Sequence, residues 1–177
     1  MLFSSYNSKY IDGLQFVPVT FPYNVPDALL IENLHVQQLI EYCNNKQIKK
    51  AFVQGFSDYS FLRACKCLEH IAIDLRLPFD AHAAQKSSTI LYDLRCMQAL
   101  PNLRSIDIRV NERPGYRAKV QLDLSAIETL EQFCGAYQLV NGIENSVHLK
   151  TLRVRGVRAQ NLDIFKKLIS LDTAYIS

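Results

Sequence analysis

The chain has 177 residues, 49% hydrophobic and 21% charged, which is enough apolar material for one continuous core and excludes a disordered or low-complexity polymer. No segment is apolar over the length that a bilayer requires, and Met1 to Tyr10 lack a basic stretch followed by an apolar one, so a cytoplasmic protein without membrane contact is expected. A net charge of +3 and a pI near 8.6 are low for a dedicated nucleic-acid binder, and five cysteines, an odd number, fit reduced thiols better than a disulfide framework.

In chain order, Leu14, Val17 and Val19 open a spacing of leucine, two residues, aliphatic, one residue, aliphatic, which predicts a strand at about 14–19. Pro22 and Pro26 then mark a turn. The run Asp27 to Cys43, with Leu30, Leu34, Leu39 and Ile40, reads as one amphipathic helix, so that residues 1–45 form an N-terminal cap on a single domain spanning 1–177. The apolar spacing returns at Ile48-Ala51-Val53, Leu68-Ile71-Ile73, Leu103-Ile106-Ile108 and Leu149-Leu152-Val154, more weakly at Leu130-Phe133-Gly135, and in decayed form at Leu168-Leu171-Thr173. Parallel strands are therefore expected at about 14–19, 48–53, 68–73, 103–108, 130–135, 149–154 and 168–173.

The anchors Leu130, Leu149 and Leu168 are 19 residues apart, and Ile48 and Leu68 are 20 apart. Aligning on them also aligns Leu62, Met97, Leu124, Ile143 and Leu162 six positions upstream, with Cys65, Leu100, Ile127, Ser146 and Phe165 three upstream. That pattern suits a short helix or helical turn behind each strand. Two longer intervals hold inserts at 76–88 and 111–119, both just after a predicted strand, and inserts at one phase of a stacked array emerge side by side.

The recurring unit resembles the leucine-rich-repeat family over roughly residues 45–177. The resemblance implies an α/β fold, a short solenoid of parallel strands with helices or turns behind, and a function in binding. The family's asparagine, eight residues after the anchor, is matched only by Asn111, whereas Phe56, Arg76, Gln138, Val157 and Ile176 hold the other positions, which marks an irregular member. The other fold considered is an α/β domain with longer helical crossovers, for which intervals of 19 leave little room.

Residues between the apolar strand positions face away from the core. Asp107, Cys134, Arg153 and Asp172 are expected in one column across the strands, and Asp74, Arg109, Ala136 and Arg155 in the next. This face, with Phe79, Arg113, Tyr116 and Arg117 on the inserts, is the expected binding surface for a protein partner with an acidic patch. The plainer alternative is a solvated face of weak cross-strand ion pairs.

No constellation for chemistry emerges. His35, His70, His82 and His148 are scattered, Cys65-Lys-Cys67 has no matching second pair for zinc, and Asp80 with His82 lacks a nucleophile, so no enzyme activity, cofactor or metal is expected. By architectural analogy a small leucine-rich-repeat-like binder resembles immunity proteins that neutralise a cognate bacterial toxin. A generic adaptor, a secreted effector and, less, an RNA-binding protein are the alternatives. Homodimerisation through a C-terminal edge strand at 168–176 is a further expectation.

Overall fold

The computed structural model describes residues 8–19, 25–32, 36–75, 88–110 and 116–177. It is an α/β structure with a mostly parallel sheet and few helices. Eleven strands are described: β1 (Lys9–Ile11), β2 (Leu14–Val19), β3 (Val25–Ile31), β4 (Lys50–Gln54), β5 (His70–Leu75), β6 (Ser88–Asp93), β7 (Ser105–Val110), β8 (Tyr116–Gln121), β9 (Gln132–Ala136), β10 (Thr151–Arg155) and β11 (Thr173–Ile176). Nine of them form one sheet in the order β1-β2-β3-β4-β5-β7-β9-β10-β11, antiparallel among the first three, so the strand at 14–19 is not parallel as expected, and parallel from β3 onward. The other two, β6 and β8, form a separate parallel pair.

Behind the parallel strands lie short 3-10 helices: Ser60–Ala64, Arg95–Ala99, Leu124–Ala126, Ile143–Asn145 and Ala159–Lys167. A 3-10 helix repeats every three residues, which is why apolar side chains recur at minus six, minus three and zero from each anchor. In the second unit Leu62, Cys65 and Leu68 are fully buried, and Met97, Leu100 and Leu103 repeat the arrangement. Each 3-10 run presents these side chains to the back of the sheet, where Ala51, Val53, Ile71, Ile73, Ile106, Ile108, Phe133, Leu152 and Val154 complete the core. At Gly135 an added Cβ would come within 2.9 Å of the Phe133 ring, so the glycine in an aliphatic position makes room for that ring.

Backbone hydrogen bonds join the units in a fixed way. The carbonyl of the residue after each anchor accepts two successive N–H groups of the next unit: Lys49 from Glu69 and His70, Glu69 from Arg104 and Ser105, Arg104 from Glu131 and Gln132, Glu131 from Lys150 and Thr151, and Lys150 from Asp172 and Thr173. The distances run from 2.8 to 3.0 Å. The ladder proper starts at the second of the two donors, so β4, β5, β7, β9 and β10 begin two residues after their anchors rather than at them.

Four further expectations need correction. First, Asp27 to Cys43 is not one helix: β3 runs Val25–Ile31 and the helix α1 is Val36–Asn45, burying Leu39, Ile40 and Cys43. Asp27 sits at φ 58 and the following Ala28-Leu29-Leu30-Ile31 is a short apolar run, which a central strand with both faces covered can use. Second, the last anchor is Leu171 and not Leu168, because the N–H of Leu171 donates to Leu168 and that of Leu168 to Phe165, as in the turns that lead to Leu68, Leu103, Leu130 and Leu149. Third, the insert at 111–119 ends in strand, since β8 begins at Tyr116, and Ser88 of the other insert begins β6. Fourth, β6 and β8 are full strands that periodicity did not reveal. Their pairing, Ser88 with Tyr116 through Asp93 with Gln121, brings the described ends of the two inserts side by side.

Gly142 carries a local constraint. It is left-handed at φ 76, and a Cβ there would overlap Asp123 Oδ1 at 1.9 Å, the oxygen that accepts the Ser125 N–H and caps the 3-10 helix. Gly55, at φ 83, has open space around it. Gly142→Ala should therefore cost clearly more than the roughly 1–2 kcal/mol of left-handed strain expected for Gly55→Ala. Urea denaturation of the two variants checks this, and equal losses would contradict it.

Candidate functional site

The front of the main sheet, opposite the core, is not uniform. Across β2 to β5 its middle is apolar: Val17, Val19, Ala28, Phe52 and Ala72 form a second buried cluster with Leu30 against it. Beyond Ala72 the same row becomes polar. Register pairs Phe52 with Ala72, Ala72 with Asp107, Asp107 with Cys134, Cys134 with Arg153, and Arg153 with Tyr175. The next row pairs Gln54 with Asp74 and Asp74 with Arg109, while on the far side Arg155 faces Ala136. The preceding row carries Lys50, His70, Ser105, Gln132, Thr151 and Thr173. A wholly polar strand face is thus corrected to a face that is sealed at one end and charged at the other.

The centre of the charged part is an ion pair within β7. Arg109 Nε donates to Asp107 Oδ2 at 2.8 Å and a terminal guanidinium nitrogen lies 2.7 Å from the same oxygen. Residues two apart in a strand share a face, which puts the two side chains within reach. The Asp107 and Arg109 side chains are only 7% and 15% exposed, so neither charge is screened by bulk water. Burial raises the Asp107 pKa above the ordinary carboxylate value, against the lowering effects of Arg109, a hydrogen bond with Cys134, and Arg155. Burial likewise pushes the Cys134 thiol up to about 12, with Asp107 adding to the effect, so this cysteine is an inert neutral donor. Cys134 belongs to the front face, not to the back core.

Toward β11 the face opens. The Arg153 guanidinium lies over the Tyr175 ring, 5.3 Å from its centroid, and Tyr175 is 56% exposed. Arg155 is exposed beside this pair. Asp172, expected opposite Arg153, is not on the face: it precedes β11, and its N–H donates to the Lys150 carbonyl. The cause is the three-residue slip of the final anchor described above. At the other end of the charged region His70 sits beside Ser105, with its Nδ1 buried and without a hydrogen-bond partner among the described residues. Desolvation, helped by Lys50, lowers its pKa and keeps the ring neutral at neutral pH.

The insert residues divide. Arg117 lies on β8, opposite Thr89, and is exposed with Lys119 and with Leu91, which is 51% exposed. Tyr116 occupies the first position of β8. Phe79 and Arg113, together with Asp80 and His82, lie outside the described residues. Asp74, Asp107, Arg109, Arg153 and Arg155 are therefore brought onto one face, while Arg117 belongs to the second sheet. Sequence reasoning missed Tyr175 and Lys119 as members of these surfaces. Alternation along each strand could have flagged both, but only once strand register was known.

Among the described residues no group of three or more His, Cys, Asp or Glu could hold a metal ion, and all five cysteines are free thiols. No helix among them is long and apolar enough to cross a membrane. A polar hollow of about 220 Å³ lies between two 3-10 turns, lined by residues that include Ser125, Glu128, Asn145 and His148.

Removing one member of the buried pair strands the other charge, so Asp107→Ala should destabilise the protein by about 3 kcal/mol. The raised Asp107 pKa gives a pH signature of opposite sign to most carboxylates. Its contribution to stability is full below the unfolded value of about 4 and is lost as the pH rises through the folded value. Wild type should thus lose stability relative to Asp107→Asn on going from pH 4 to pH 7 in urea titrations, and a relative gain would contradict the assignment.

No model of a known protein family matches the chain, and no curated protein matches it in sequence.

Proposed function

We propose that this chain is an irregular leucine-rich-repeat-like solenoid that acts without catalysis, by binding a protein surface. The observation that carries the reading is the arginine-rich end of the front face, where Arg109 on β7 and Arg153 and Arg155 on β10 flank β9 and Tyr175 lies under Arg153. Arginine and tyrosine are the side chains that most often dominate binding energy, because each combines large contact area with a polar end. The sealed apolar half of the same sheet gives them a rigid support, and Asp107 fixes the Arg109 guanidinium before any partner arrives.

The sign of the exposed charge favours an acidic partner. It favours protein over RNA as well. Lys49, Arg104 and Lys150 pair with Glu69 or Glu131 and Arg109 with Asp107, so the cations at the strand starts and at the centre of the face are matched by acids instead of forming a continuous track for a phosphate backbone. In the most concrete form of the reading the partner is a bacterial toxin domain, and the chain is its immunity protein, residing in the cytoplasm. Arg117 and Lys119 on the second sheet extend the basic surface.

Affinity capture from the native cell, followed by mass spectrometry, tests this. The wild type should recover one predominant acidic protein, and the double variant Arg153→Glu/Arg155→Glu should recover at least about tenfold less of it, as expected when two interface cations are reversed. Loss on Arg117→Glu/Lys119→Glu alone would move the site to the second sheet. Recovery unchanged by either pair would refute the basic surface, and a partner without toxic activity would remove the immunity reading while leaving the binding module.

A further inference from the structure

The residues that follow the anchors also carry a pattern of charge. In order across the sheet they are Lys49, Glu69, Arg104, Glu131, Lys150 and Asp172, which alternate in sign without exception. The alternation is used. Lys49 lies 2.8 Å from Glu69, and Glu131 is shared by Arg104 at 3.5 Å and Lys150 at 3.2 Å. The Lys49 ammonium, with smaller help from His70 and Arg104, holds the Glu69 carboxyl below its usual range. Each strand thus places at its start a charge complementary to that of its neighbour.

Asp172 is the last rung. Among the described residues its carboxylate makes no ion pair and its carbonyl accepts no hydrogen bond, although the equivalent carbonyl in every preceding unit accepts two. Among the described residues β11 pairs with β10 alone. The N–H groups of Thr173 and Ser177 point to β10, so by the alternation of a strand those of Ala174 and Ile176 point outward. Apolar surface accompanies this edge: Tyr175 and Ile176 are exposed, and Ile169 is 85% exposed.

We propose that the open edge of β11 is a docking site for an extended segment of a protein partner, which adds parallel to β11 and sets a lysine or arginine beside Asp172. The geometry is that of strand addition, in which main-chain hydrogen bonds supply affinity and a side-chain position supplies selectivity. A second copy of this chain fits the edge less well. Antiparallel pairing of two β11 strands about a two-fold axis at Ala174 sets Asp172 opposite Ile176 of the copy, and parallel pairing brings the two Asp172 carboxylates close together. This site adjoins the arginine face through Tyr175 but uses none of Arg109, Arg153 and Arg155, which lie on β7 and β10.

The test uses the full chain and two fluorescein-labelled decapeptides of alternating threonine and valine, identical except for a lysine or a glutamate near the N-terminus. In anisotropy titrations at low salt the lysine peptide should bind at least about fivefold more tightly than the glutamate peptide, as attraction is exchanged for repulsion at an exposed rung. Asp172→Lys should reverse the preference. Ala174→Pro, which removes an outward N–H and spares the pairing with β10, should abolish binding of both peptides while circular dichroism stays unchanged. Equal affinities, no binding of either peptide, or a preference untouched by Asp172→Lys would overturn the proposal. So would concentration-dependent dimerisation in sedimentation that Ala174→Pro removes, because the edge would then belong to a second copy.

Discussion

The structure depends on a single backbone arrangement, in which one carbonyl after each anchor residue takes the first two N–H groups of the following strand. It fixes where every parallel strand begins and hence which residues face the core. A one-residue slip would exchange the two faces of a strand, putting Arg153 in the core and Leu152 in solvent. The anchors themselves, Leu68, Leu103, Leu130 and Leu149, are buried almost completely, and their side chains hold the chain in place as it passes from 3-10 helix to strand. Apolar burial and the hydrogen-bond ladder therefore select the same register, which is the consistency that a specific fold needs.

With register fixed, the two faces of the sheet take different roles. The back is apolar throughout and faces the 3-10 helices. Along its middle row the front is closed by Val17, Ala28, Phe52 and Ala72 on its first strands and then turns polar from Asp107 onward. This division concentrates the polar surface at one end of the sheet, next to its open edge. The buried Asp107–Arg109 pair marks the boundary, and an ion pair in such a place contributes more to the orientation of its arginine than to net stability.

Much of this was legible in the sequence, for a physical reason: side-chain burial follows a strict spacing, and spacing survives in one dimension. The apolar positions of β4, β5, β7, β9 and β10 and the helical turns behind them follow directly from it. Backbone features do not. The two-residue delay between anchor and strand is a hydrogen-bond property with no side-chain signature. Ala28 to Ile31 is a short apolar run that helix and strand accommodate equally, so β3 was absorbed into the helix. Near the end of the chain Leu162, Phe165, Leu168 and Leu171 are each three residues apart, and a 3-10 helix has a period of three, so the pattern can slide by one turn without any apolar side chain losing its place. That slide placed Asp172 on the front face instead of Tyr175. The strands β6 and β8 were hidden because an insert was read by its length, although Ile90 with Tyr92 and Ala118 with Val120 alternate as an inward face should. The alternating charges from Lys49 to Asp172 appear only once the strands are aligned.

Native-state hydrogen exchange followed by NMR tests the central claim most directly. The amides of Glu69, His70, Arg104, Ser105, Glu131, Gln132, Lys150 and Thr151 all donate to the shared carbonyls. If those contacts hold the units in register, both members of each successive pair should exchange slowly, at rates approaching those of global unfolding. Rapid exchange at these positions, with slow exchange confined to the centres of the strands, would contradict the account.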